Sequence, residues 1–185
     1  MFKEMRQYTQ SMLNDLWVDT MFEGYKYLDP KQKGSFGETF LDLAMTETGH
    51  DIESRINDGH DSIVDTIKTE YKFGLSHTDN KKQEIKVDVF SFNHVGEHKD
   101  WERLILCGVN YHKDLIDCDD INIILPYCRI MWMTKSDFSQ SILYEGKYWN
   151  RQQGGKKGGN DDWFSMDKKP LALYGSRFVR RIKDW

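Results

Sequence analysis

The chain has 185 residues, 38% hydrophobic and 30% charged, with a formal net charge of −4. That is the composition of a globular chain with one domain and a single core. No apolar run reaches the length of a membrane-spanning helix, and residues 1–6 lack a signal-peptide hydrophobic region, so an intracellular, cytoplasmic protein with no membrane partner is expected. Three cysteines, Cys107, Cys118 and Cys128, include no C-x-x-C pair. A zinc ribbon is therefore excluded and reduced thiols are expected.

In chain order, residues 2–21 read as a helical segment. Gln7, Gln10 and Asn14 lie on one of its faces and Met12, Leu13, Leu16 and Trp17 on another. It could pack on a sheet or form a dimer interface. Residues 34–45 read as a second helix, because Phe36, Phe40, Leu43 and Ala44 recur at helical spacing. It carries Glu38 one turn from its start, where a carboxylate also complements the helix macrodipole. Residues 50–56 alternate as a strand, and Asn57-Asp58-Gly59 is a turn signal.

Residues 60–73 then read as strand, turn and strand, folding back at Asp65-Thr66. Strand residues two apart share a face, so Glu70 and Lys72 project together, and the hairpin brings Asp61 beside them. Residues 81–92 read as the next strand, with Ile85, Val87 and Val89 alternating, and residues 93–98 as a polar break. From Lys99 a polar helical turn leads into a buried strand ending near Asn110. Another buried strand is expected at residues 121–125, or slightly later at 129–133. Residues 152–161 form a Gly-Lys segment followed by a strand-like stretch at 163–166.

The Asp61, Glu70 and Lys72 set suits a hard divalent cation held next to a phosphate. Mg²⁺ takes oxygen ligands, commonly one or two carboxylates with waters and substrate phosphate oxygens. A lysine beside it can stabilise the charge that builds on a phosphodiester. Asp61 and Glu70 are the candidate metal ligands, the Tyr71 carbonyl can complete the shell, and Lys72 is the electrophilic or water-positioning partner.

This set, His60-Asp61 followed by Glu70-Tyr71-Lys72, resembles the motif of the PD-(D/E)XK nuclease superfamily, to which most type II restriction endonucleases belong. The proline that often precedes the aspartate is replaced here by His60, which reads as a spacer. The resemblance covers residues 34–135. It implies an α/β fold with a restriction-endonuclease-like core, a central mixed sheet of about five strands flanked by helices on both faces. It also implies Glu38 as an additional metal ligand or water-holder. The helix–strand order from residue 34 is the αβββ opening of that superfamily, and residues 100–109 resemble its helix-to-strand crossover.

Charge is unevenly spread. Residues 151–185 hold nine Lys/Arg against four Asp/Glu, a net of +5, which leaves −9 on the first 150. A basic face can therefore meet DNA on an acidic protein. Lys156 and Lys157 suit phosphates, Gln152, Gln153 and Asn160 suit adenine, and Arg151 suits guanine. Arg177, Arg180, Arg181 and Lys183 continue the basic run. His94 and His98 read as loop residues rather than a zinc pair, and no ββα-metal partner can be assembled for His112.

The expected organisation is one nuclease domain over residues 1–185: an N-terminal helical segment to residue 33, a catalytic core at 34–135 and a DNA-contacting part at 150–185. The expected activity is Mg²⁺-dependent cleavage of double-stranded DNA, with Mn²⁺ able to substitute, by a homodimeric type II restriction enzyme of bacterial or phage kind. A catalytically inactive DNA-binding or interaction module on the same fold is the alternative, as is a structure-specific, repair or homing nuclease.

Overall fold

The computed structural model describes residues 8–54, 59–96, 98–143, 149–151, 161–166 and 180–181. The N-terminal part departs from the single helix read over 2–21. Helix α1 covers only Gln10–Asn14, capped by the Thr9 side chain, which accepts from the Met12 N–H. Asp19 at φ 57° and Gly24 at φ 77° then turn the chain left-handed, a conformation no α-helix absorbs. Leu13, Leu16 and Phe22 are buried, while Met12 stays exposed.

Helix α2 spans Pro30–Glu47, four residues earlier than its apolar periodicity suggests. A capping box sets the start: Asp29 accepts from the Gln32 N–H, the Gln32 side chain accepts from the Asp29 N–H, and proline takes the first helical position. Its buried face, Gly37, Phe40, Leu41, Ala44 and Met45, lies on the sheet.

The fold is α/β around a mixed sheet. Strands β1 (Ile52–Ser54), β2 (Ser62–Val64) and β3 (Ile67–Leu75) form an antiparallel meander. The β2–β3 turn falls at Asp65 and Thr66, φ 51° and 71°, as expected from the sequence. Two positive φ values make it a type I′ turn, whose twist matches that of the strands. The chain next forms a two-stranded hairpin, β4 (Thr78–Asp79) and β5 (Glu84–Ile85), and then β6 (Phe90–Gly96). It returns to the main sheet as β7 (Arg103–Val109), parallel to β3. Helix α3 (Ile121–Ile124) precedes β8 (Cys128–Thr134), which is antiparallel to β7. Helix α4 (Lys135–Leu143) follows. Strands β9 (Trp149–Arg151) and β10 (Asp161–Met166) join β6 in a second sheet. Strand β11 (Arg180–Arg181) pairs with β8, so the main sheet has the order β1-β2-β3-β7-β8-β11.

Several sequence expectations need correction. The strand read over 81–92 is interrupted, because Gln83 and Asp88 adopt φ 52° and 60°. The polar break expected at 93–98 is instead strand as far as Gly96, with buried Phe90, Phe92 and Val95 anchoring β6 and β10 pairing alongside it. No helical turn forms at residues 99–102, where the chain bends to bury Trp101. Residues 121–125 begin as helix, since the Asp120 side chain caps the Asn122 N–H, and the buried strand is the later one. The crossover from β3 to β7 accordingly runs through β4, β5 and β6 instead of through a helix.

Side-chain alternation divides two cores across the sheet. Tyr71, Ile105, Cys107, Val109 and Ile130 face α2 and the N-terminal part. Leu104, Leu106, Met131 and Met133 face β6 and α4 through Phe90, Phe92, Trp101 and Phe138. Among the described residues no helix is long and apolar enough to cross a membrane.

Candidate active site

The hairpin register decides where the acidic side chains meet. Ser62 stands opposite Thr69, and the Asp61 N–H donates to the Thr69 carbonyl at 3.0 Å. Asp61 therefore lies beside the Thr69–Tyr71 stretch of β3. At this point β2 leaves β3, and the next outward-facing main-chain groups of β3 belong to Tyr71. The Tyr71 N–H donates to Asp61 Oδ2 at 2.7 Å, and the Tyr71 carbonyl accepts from Lys72 Nζ at 2.8 Å. The end of strand pairing thus creates a notch filled by a carboxylate and an ammonium.

Glu70 is 1% exposed, and its Oε1 accepts from Lys72 Nζ at 2.5 Å and from Lys99 Nζ at 2.6 Å. A carboxylate so deeply buried is tolerable only with such partners. Lys72 itself keeps 15% of its side chain in solvent and Lys99 31%, so both ammoniums lie between the buried acid and the surface.

Glu38 reaches the same place from α2. Burial pushes its carboxyl above the usual value, and Asp61, Glu70 and Asp42 push in the same direction against the opposing pull of Lys72. Asp61 is likewise raised, first by burial and then by Glu70, while Lys72, the Tyr71 N–H and Lys99 oppose the shift. Three of the four catalytic candidates are thereby carboxylates crowded at one point, and the fourth is the lysine between them.

Asp42 and Ser62 form an inner layer, with the Ser62 hydroxyl donating to Asp42 Oδ1 at 2.9 Å. Tyr71 sends its ring the same way, and burial followed by the Asp42 charge pushes its phenol far upward, so it stays neutral. Among the described residues the phenol oxygen has no hydrogen-bond partner within normal geometry, although Asp42 and Ser62 lie close to it. His60 is buried, and neither ring nitrogen has a hydrogen-bond partner among the described residues.

Lys99 was not found by sequence reasoning. It is 29 positions from Glu70, and only the crossover path brings the two together. Its segment is firmly anchored: Lys135 Nζ donates to the Lys99 carbonyl at 2.6 Å, Lys68 pairs with Asp100 at 2.6 Å, and Trp101 packs edge-on against Phe138. No local sequence pattern signals that contact.

Of the DNA-contacting candidates, Arg151 closes β9 opposite Asp162 of β10. Gln152, Gln153, Lys156, Lys157 and Asn160 lie outside the described residues, as do Arg177 and Lys183. Arg180 and Arg181 form the edge strand β11. The paired ends of β9 and β10 lie beside Gly96, three residues before Lys99 in the chain.

The oxygen donors suit a hard cation. Asp61 Oδ1 has no partner among the described residues, and the Glu70 carboxylate and Tyr71 carbonyl already surround one cationic group, the Lys72 ammonium. No cluster of three or more His, Cys, Asp or Glu forms a ready-made metal cage among the described residues. Mg²⁺ does not require one, since waters and substrate oxygens complete its shell. Comparison with protein-family models, curated proteins and solved structures gives no match to this chain.

Proposed function

We propose that this protein is a Mg²⁺-dependent endonuclease of restriction-endonuclease-like fold that hydrolyses phosphodiester bonds in double-stranded DNA. The observation that carries this reading is the meeting of Asp61, Glu70, the Tyr71 carbonyl and Lys72 where β2 parts from β3, with Glu38 facing them from α2. A buried acid–lysine cluster is an expensive feature for a core, and its opening to solvent through Lys72 and Lys99 gives it a use.

Asp61, Glu70 and the Tyr71 carbonyl would hold the ion, with Glu38 as a further ligand or as the holder of its water. When bound, Mg²⁺ supplies positive charge against the scissile phosphate and a more acidic water. Lys72 meets the non-bridging oxygens as negative charge builds on them. Lys99 contributes a second ammonium and keeps Glu70 oriented. Glu38, raised by burial and by neighbouring carboxylates, takes up a proton more readily than a surface glutamate, which suits it to receive one from attacking water.

Arg151, Gln152, Gln153, Lys156, Lys157 and Asn160 are proposed to contact the duplex, and cutting both strands with one site per chain calls for a homodimer. Sequence-specific restriction remains the preferred role. The test is incubation of the protein with phage-sized duplex DNA and Mg²⁺, beside Lys72→Ala and an EDTA control. Discrete fragments that vanish in both controls support the reading, whereas cutting that survives Lys72→Ala assigns the chemistry to other residues. Uncut DNA that is still retarded on a gel leaves a binding module.

A further inference from the structure

Resting on the nuclease reading, a second feature adds a substrate preference. Strand β3 runs nine residues, but β2 covers only Ile67–Thr69. Main-chain groups of alternate residues face that side. Those of Thr69 and Tyr71 are met by Asp61 and Lys72. Those of Phe73 and Leu75 have no partner among the described residues, since the alternate residues Lys72, Gly74 and Ser76 are the ones that face β7.

This open edge forms one wall of a cleft of about 860 Å³. Its near end is lined by Glu38, Tyr71 and Lys72, so it is continuous with the acid–lysine cluster. The opposite wall brings Lys26 and Lys33 together with the rings of Trp17 and Tyr25. Gly34 of α2 keeps that wall low, since a Cβ there would touch nothing nearer than Glu38 Oε1 at 3.7 Å. The volume is that of clefts taking one small ligand, about 300–1,000 Å³.

We propose that this cleft takes one nucleotide adjoining the scissile phosphate with its base turned out of the duplex, so that a duplex already carrying an extrahelical or frayed base is preferred over a fully paired one. Each part of a nucleotide has a counterpart. Lys26 and Lys33 meet a flanking phosphate. Tyr25, with the Lys33 ammonium over its ring at 5.8 Å, and Trp17 line the cleft with aromatic surface against which a base can pack. The free donors and acceptors of Phe73 and Leu75, with the Thr78 hydroxyl beyond, meet the base edge. The Tyr25 phenol, pushed up to about 12 chiefly by burial, remains an uncharged donor. An added peptide strand would use the open edge but neither the lysines nor the continuity with the carboxylates.

The test compares two short duplexes in Ca²⁺, one fully paired and one with a single unpaired 2-aminopurine, by fluorescence titration. The bulged duplex is expected to bind about tenfold more tightly, the scale of one base stack, with the probe quenched on binding. Lys33→Ala and Tyr25→Leu should bring that ratio close to one. Lys33→Ala leaves the buried core intact, so a folding defect in Tyr25→Leu cannot decide the result. Equal affinities in the parent protein overturn the proposal, as does a preference that survives both variants. Mg²⁺-dependent hydrolysis of a chromogenic phosphodiester, read in parallel, separates the two ideas. Hydrolysis without bulge preference removes the cleft assignment alone, and preference without hydrolysis removes the nuclease reading while the cleft still binds a nucleotide.

Discussion

Asp61 shows how the site sets stability against chemistry. Burial and Glu70 raise its carboxyl above the ordinary 3.8. A raised acid favours the folded state only when protonated. Its contribution is present below the unfolded value and is lost as pH rises through the folded one, leaving a penalty at neutral pH. Asp61→Asn keeps an acceptor for the Tyr71 N–H and removes that penalty. Metal-free Asp61→Asn should therefore melt above the parent at pH 7, by about 2–4 °C for each kcal/mol relieved. The gap should narrow as pH falls toward 3.8, and the variant should lose the Tm rise that Mg²⁺ gives the parent. A variant that melts below the parent at pH 7 contradicts this account. The two lysines should also separate kinetically. Lys72→Ala is expected to lower kcat by about 10²–10³, and Lys99→Ala by less, because Glu70 keeps one ammonium. Single-turnover cleavage decides whether they differ.

At the scale of elements, two joints fix the site. The first is the turn that sets the β2–β3 register. Thr66 holds φ 71°, an unfavourable place for a β-branched residue. Thr66→Gly should stabilise the fold by about 1 kcal/mol, read from urea unfolding with the slope unchanged. The second is the close approach of α2 to β3 at Gly37, where a Cβ would come within 2.5 Å of the Phe73 Cβ. Gly37→Ala should destabilise by about 1–3 kcal/mol and move Glu38 off the cluster, so a calorimetric melt and a cleavage assay should decline together. The hairpin was legible because Asp65-Thr66 separates two short apolar runs and the i, i+2 rule places Glu70 with Lys72. Helix α2 was legible from Phe36 and Phe40, although its true start lay in the capping box. What stayed hidden depends on distant contacts. Lys99 reaches Glu70 only by way of the crossover, and the polar stretch Asn93-His94 belongs to a strand because β10 pairs beside it.

At the scale of the molecule, the proposed function divides between the two sheets. The main sheet carries the acids and lysines, while the second pairs β9 and β10 with β6 as far as Gly96, three residues before Lys99 in the chain. If the protein meets DNA as proposed, its affinity should fall steeply with salt, log K declining by about 0.9 per decade of salt for each phosphate neutralised. Lys156→Glu with Lys157→Glu should reduce that slope by about two if both lysines touch phosphates, and an unchanged slope removes them from the interface. Sedimentation at rising concentration should show association to a dimer if both strands are cut.

The open stretch of β3 bears on solubility as well. Phe73 and Leu75 present main-chain groups on the edge of an apolar strand, a template onto which another chain could add. Lys72, Lys33 and Glu38 border that edge. Desolvating them would oppose an incoming strand, so the residues proposed for hydrolysis would also guard against self-assembly. Stripping their charges together, as Glu38→Ala with Lys72→Ala, should make the protein cloud at lower concentration than the parent even where its melting temperature is higher.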